Sequence, residues 1–260
     1  MFLTVYRALF ARRLFFKLNK FFYRVSLSGM GVLNYENDSV SGESRFLKKL
    51  LKGRTGCVVF DVGANVGDYS RKVLQVCSEV TVYAFEPHPK TYTVLTNNVR
   101  QSNFLPVNAA AGEKEGSVSL FDYEARDGSS HASLYRDVIE NIHKAKSTEH
   151  KVRVIELGAF ARRQNIEKID LLKIDTEGNE LSVLKGILDY IESGKIEAIH
   201  FEFNEMNVSS RTYFRDFWEL LPNYNFYRLL PDGMAKIESY NPVYCEIFAY
   251  QNIVAILKRN

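Results

Sequence analysis

Apolar and polar residues change period several times along the chain, and the changes mark out its elements. Residues 57–62 are a nearly continuous apolar run, broken by Asp61 and closed by Gly63. A short apolar run bounded by glycine predicts a buried strand. Behind it, Tyr69, Val73, Val76 and Cys77 recur at helical spacing and predict a helix with one buried stripe. The alternation then repeats. Residues 80–85 predict a second strand, closed by Glu86-Pro87-His88-Pro89. Pro89 suits the first turn of the next helix, where its missing N–H is not needed. Residues 104–109 predict a third strand, 117–121 a short edge-like strand, 169–174 a fourth core strand and 196–203 a fifth. Leu181, Leu184, Leu188 and Ile191 stripe the helix before the fifth strand; 211–221 predict a further helix, and 225–230 and 253–257 close the sheet. Strands that alternate with helices predict a mostly parallel Rossmann-like α/β sheet. The polar stretch 123–151, with Gly128, Ser129 and Ser130, predicts a mobile loop or lid.

Residues 1–28 follow another pattern. Arg13, Lys17, Lys20 and Arg24 recur on one helical face, Leu14, Leu18, Phe21 and Val25 on another, and no acidic residue precedes Glu36. This predicts a basic amphipathic helix over 1–28, a linker or cap over 29–56, and one Rossmann-like domain over 57–260. The basic residues interrupt the apolar stretch, which argues against a signal peptide and against a spanning helix of roughly 20 apolar residues. Residues 1–25 are expected either to touch an anionic membrane surface peripherally or to pack on the domain or a second subunit. A net charge of +3 in 260 residues gives little hold on a polyanion, so no nucleic-acid partner is expected. Cys57, Cys77 and Cys245 lack metal-like spacing and suit reduced thiols in a cytoplasmic protein. The aromatic-rich stretch around Tyr213, Phe214, Phe217, Trp218, Tyr224 and Phe226 is expected in the core, and Asn241-Pro242-Val243-Tyr244 as a loop turn.

The chemistry gathers at the strand ends. In Phe60-Asp61-Val62-Gly63-Ala64-Asn65-Val66-Gly67, the glycines let the backbone turn and approach a ligand, and the following helix offers free N–H groups. Glu86 ends the second strand, where a carboxylate can accept ribose hydroxyls. Asp61 would repel a pyrophosphate but attract the ammonium and sulfonium of S-adenosylmethionine. Asn65 also stands where a dinucleotide fingerprint has its second glycine. A methyl-donor site is therefore expected. The alternatives are a nicotinamide-dependent oxidoreductase or a cofactor-binding module with a scaffold role.

These motifs, with Phe85-Glu86-Pro87 and Leu172-Lys173-Ile174-Asp175-Thr176-Glu177-Gly178-Asn179-Glu180, resemble the FkbM family of methyltransferases over roughly residues 57–205. The resemblance implies a seven-stranded class I methyltransferase sheet, S-adenosylmethionine as donor and an oxygen acceptor. It also implies that Asp61, Gly63, Ala64, Asn65 and Gly67 line the methionine end and Glu86 the ribose, with Asn108 near the adenine. The acceptor it suggests is a saccharide, a surface polysaccharide or a glycosylated small molecule. Asp175, at the carboxyl end of the fourth strand, is the first candidate for base or acceptor orienter. His131, in the polar lid with Ser129, Ser130 and Ser133, could reach the acceptor. Glu202, which shares a strand face with His200, could also contact it. Glu177 and Glu180 could join Asp175 on a divalent cation, but no further ligand is apparent and no metal is expected.

Overall fold

The computed structural model describes residues 2–124, 128, 132–142 and 144–259. The apolar runs form the centre of an eight-stranded sheet. Its strands in chain order are β1 (Val58–Val62), β2 (Thr81–Phe85) and β3 (Phe104–Val107). Then come β4 (Ala110–Ala111), β5 (Gly116–Tyr123) and β6 (Ser147–Ile155), which belong to a second sheet. The main sheet resumes with β7 (Ile169–Ile174), β8 (Ile196–Glu202), β9 (Tyr224–Leu230), β10 (Gly233–Ile237) and β11 (Asn252–Leu257). The order across it is β10-β9-β11-β8-β7-β1-β2-β3. Strands β3, β2, β1, β7 and β8 run parallel, and β11 is antiparallel to both β8 and β9. The order reverses between β1 and β7, where open α/β sheets form a ligand crevice.

Side-chain alternation sorts the two faces. Phe60, Val62, Phe85, Leu172, Ile174 and Phe201 pack with the helices Leu157–Arg163, Glu180–Lys185, Leu188–Glu192 and Phe214–Leu220. Val59, Val82, Ala84, Leu171 and Ala198 pack with Glu43–Leu51, Asp68–Val76 and Pro89–Asn98 on the other face. Both faces are covered, as a parallel sheet requires. Phe214, Phe217, Tyr224 and Phe226 are buried, and Trp218 stacks on Phe226 at 4.9 Å.

Three expectations change. The sheet has eight strands where seven were expected, because Pro231-Asp232 turns the chain back and pairs β10 antiparallel with β9. The stretch 123–151 is not one loop: β6 begins at Ser147 and pairs antiparallel with β5 from Gly116↔Val154 to Tyr123↔Ser147. Asn241–Tyr244 opens the short helix Pro242–Cys245, whose first turn is capped by Asn241 Oδ1 accepting from Val243 N at 2.9 Å.

At the other end of the chain, the basic stretch is helical over Phe2–Phe10 and Phe16–Gly29, with a break at Ala11-Arg12 and a tight 3₁₀ turn at Arg13–Phe15. The segment 29–56 carries the helix Glu43–Leu51, whose Phe46, Leu47 and Leu51 enter the core. Among the described residues no helix is long and apolar enough to cross a membrane.

Candidate active site

The turn after β1 and the turn after β7 meet at the switch point. Asp175 N donates to Val62 O at 2.9 Å, and a Cβ on Gly63 would stand 1.7 Å from the Asp175 carbonyl oxygen. Only glycine fits there, at φ 80°. Gly63 and Ala64 both donate their N–H to Phe85 O, at 2.9 and 3.0 Å, which ties the turn to β2. Glu86 follows at once. Its Oε2 accepts from Asn65 N at 3.0 Å and its Oε1 from His88 N at 2.8 Å. Burial pushes the Glu86 carboxyl up to about 7, against the pull of those two amides.

These elements enclose a crevice of about 580 Å³, open mouth included. Gly63, Asn65, Glu86 and Pro87 form one wall, and Asp175, Thr176, Glu177 and Asn179 the opposite one. Ala109–111 lie between them, and Leu120, Ala132 and Leu134 form an apolar cover contributed by the second sheet and the segment beside it. Three carboxylates and no basic side chain line it among the described residues. This lining favours a cationic ligand over the pyrophosphate of a dinucleotide, which would face carboxyl groups with no Lys or Arg side chain among the described lining residues to offset them.

Glu180 shapes the far wall. Its buried Oε1 accepts from Thr176 N, Thr176 Oγ1 and Gly178 N, at 3.1, 3.1 and 3.0 Å, and its Oε2 accepts from Asn207 Nδ2 at 3.3 Å. It is thus committed to holding the Asp175–Gly178 turn. Among the described residues no group of three or more acidic, His or Cys side chains is placed to hold a metal ion.

The other candidates lie elsewhere. Asp61 shares strand parity with Val59, so it faces the helix Asp68–Val76, where its Oδ2 accepts from Ser70 Oγ at 2.6 Å. It is 2% exposed, lies outside the crevice lining, and is pushed by burial up to about 6. Gly67 is buried at the start of that helix against Leu95 and Val99. Asn108 Nδ2 donates to Glu86 O at 2.8 Å and Pro87 O at 3.1 Å, so its side chain fixes the turn that carries Glu86. Ser133 is buried and its Oγ donates to Glu177 O at 2.8 Å, fastening the cover to the far wall. His131, Ser129 and Ser130 lie outside the described residues.

A second polar centre, which sequence reasoning missed, lies under Asp175. Lys173 Nζ is buried 3.3 Å from Asp175 Oδ2 and 5.6 Å from the centre of the Tyr69 ring. Burial works to lower its pKa, but Asp175, Glu202, Glu43 and Asp61 outweigh it and hold the ammonium ionised. Glu202 sits in this cluster and not in the crevice lining; burial and then the Asp175 charge push it well up. His200 is fully buried, bonded to Asn252 Oδ1 at 2.8 Å and Tyr69 Oη at 3.0 Å, and is kept neutral by burial and by Lys173. A lysine inside the run Leu171-Leu172-Lys173-Ile174 was the available signal, since an unpaired charge is not left in a core strand.

A mostly parallel sheet whose strand order reverses between β1 and β7, covered by helices on both faces, is the class I S-adenosylmethionine-dependent methyltransferase fold. The model of the methyltransferase FkbM domain matches residues 61–227, and the chain belongs to that family, whose cofactor is S-adenosylmethionine. Among curated relatives, Methyltransferase 1 of Beauveria bassiana is 29% identical over 147 residues, covering 50% of this chain and 58% of that protein. The hexuronic acid methyltransferase AglP of Haloferax volcanii is 28% identical over 158 residues, covering 58% of this chain and 59% of that protein. The 31-O-demethyl-FK506 methyltransferase FkbM of Streptomyces tacrolimicus is 30% identical over 167 residues, covering 55% and 64%. The chain thus spans less than two thirds of the length of these relatives.

Proposed function

We propose that the protein transfers a methyl group to a hydroxyl oxygen of a saccharide or glycosylated small molecule. The observation that carries this reading is the crevice itself, with Glu86 on one wall, Asp175 on the other and an apolar cover above. Bound there, S-adenosylmethionine supplies an electrophilic methyl carbon on a sulfonium. Asn65 and Glu86 hold the donor, with Gly63 and Ala64 shaping the turn they stand on. Glu86 accepts ribose hydroxyls through the lone pairs its two amide contacts leave open. Asp175 orients the acceptor hydroxyl and takes its proton, a role that adds about 100- to 10,000-fold. Leu120, Ala132 and Leu134 exclude water, and Glu177 faces the acceptor. Asp61 acts from beneath, as part of the charge cluster that surrounds Lys173. Carboxylates accept sugar hydroxyls and repel phosphates, which favours a saccharide over nucleic acid. The relative named for hexuronic acid points the same way. The buried free cysteines support a cytoplasmic location.

The test is transfer of labelled methyl from the donor to cell glycans, nucleotide sugars, RNA and protein extract. Label in an alkali-stable saccharide ether is the expected result; label only in RNA or protein overturns the acceptor.

Glu86 gives a second test. Its folded carboxyl titrates near 7 against an ordinary 4.5, so the folded state holds the proton longer than the unfolded one. Stability of the ligand-free protein should therefore fall as pH rises from about 4.5 to about 7, while donor affinity rises as the carboxylate forms. Glu86→Ala should flatten the affinity profile and cost about 1–3 kcal/mol of binding by calorimetry. Unchanged affinity in the folded variant removes Glu86 from the donor site.

A further inference from the structure

Residues 2–29 form an arm whose outer surface nothing in the described fold covers. Its two helices, Phe2–Phe10 and Phe16–Gly29, meet at an elbow braced from within. Tyr6 Oη donates to Asn19 Oδ1 at 2.6 Å, Asn19 Nδ2 donates to Phe10 O at 3.0 Å, and the Phe10 and Phe15 rings meet edge-on at 5.1 Å. The arm therefore has a shape of its own without lying on the domain. Leu27 alone in it is buried, packed with Val32 and Ile247. Leu14 is 84% exposed, Phe16 68% and Phe21 60%. Apolar surface this extensive on a folded chain marks a contact site.

Charge decides what covers it. The arm carries Arg7, Arg12, Arg13, Lys17, Lys20 and Arg24 and no carboxylate. A second copy of the arm would set these cations against an identical set, and like charges brought face to face in an interface repel. A bilayer rich in anionic headgroups offers both a negative surface and an apolar boundary below it. We propose that residues 2–29 dock on an anionic lipid surface. Leu and Phe side chains enter the headgroup–acyl boundary, and the Lys and Arg side chains reach back to the phosphates.

The root of the arm sets the direction. Val32 bridges Gln251, and Leu33 N donates to Tyr250 O at 2.7 Å. These partners immediately precede β11, whose Asn252 pairs with Glu202 at the carboxyl end of β8. The arm thus leaves the domain at the sheet edge on which the crevice opens, and docking turns that edge toward the bilayer. The contact stands independently of the methyl-transfer reading.

The experiment is flotation of the full chain with vesicles of phosphatidylcholine alone or mixed with an equal part of phosphatidylglycerol. The full chain should float only with the anionic vesicles, and added salt should release it. The variant R12Q/R13Q/K17Q/K20Q should lower the partition by at least about 10-fold, and F16S/F21S should lower it as well. Both variants should keep the parent's circular dichroism and donor affinity, because these side chains are solvent-exposed. Equal binding to neutral vesicles overturns the proposal, as does no binding to either. A concentration-dependent dimer in sedimentation that the arm variants dissociate also overturns it, by assigning the face to a second copy. On anionic vesicles, amide exchange should slow across residues 203–213 at the carboxyl edge and stay unchanged in the 52–56 turn at the opposite edge. The reverse pattern overturns the orientation.

Discussion

Asp175→Asn should fold and bind the methyl donor, yet turn over at least about 100-fold more slowly. The side chain lines the crevice and is half-buried, so an amide of the same size fits without repacking. The charge is what changes. Asparagine still offers the acceptor hydroxyl a hydrogen bond but cannot take its proton. Beneath it, Lys173 loses its 3.3 Å partner, but the loss of the Asp175 charge also removes a repulsion that pushes Glu202 up, so Glu202 is freer to ionise beside the ammonium. Single-turnover kinetics with the saccharide acceptor, alongside donor calorimetry, separate the outcomes. Near-normal turnover excludes the base role, and loss of donor binding moves Asp175 to the donor side of the crevice.

Gly63→Ala should destabilise the protein by more than about 4 kcal/mol or prevent folding, one of the largest effects a single methyl can have. Two costs combine. The position has φ 80°, where an L side chain is strained by roughly 1–2 kcal/mol. The new Cβ would also stand 1.7 Å from the carbonyl oxygen of Asp175, a backbone atom that cannot swing aside. Gly53→Ala isolates the first cost, because Gly53 has φ 77° with nothing within 4 Å of the added carbon. Urea denaturation of the two variants should then differ by at least about 2 kcal/mol. Equal losses would mean that the contact between the two turns is not rigid.

The core strands were legible because a parallel strand covered on both faces is largely apolar, as in residues 82–85, and such runs stand out. The second sheet was not. β6 reads Ser-Thr-Glu-His-Lys-Val-Arg-Val-Ile, and only Val152, Val154 and Ile155 in it are buried. A half-solvated strand with charge on its outer face resembles a loop when read by composition. The site divided in the same way. Glu86 and Asp175, read from the ends of their strands, both line the crevice. Asp61 was expected beside the ligand, yet strand parity turns it to the face of Val59 and into the hold of Ser70. Parity was available in the sequence, but which face carried the crevice depended on where the cover folded back.

The cover enters and leaves the domain through one narrow gate. Ala110 pairs with Val154 and Ala111 with Ile155, so the chain that departs after β3 returns beside its own point of exit. Everything between is an insertion with neighbouring ends, and exchanging it need not disturb the main sheet. Grafting the corresponding segment of a relative into this gate should exchange the ceiling over the crevice while leaving the floor that holds the donor intact. Acceptor preference would then travel as a cassette, recombined between enzymes without rebuilding either one.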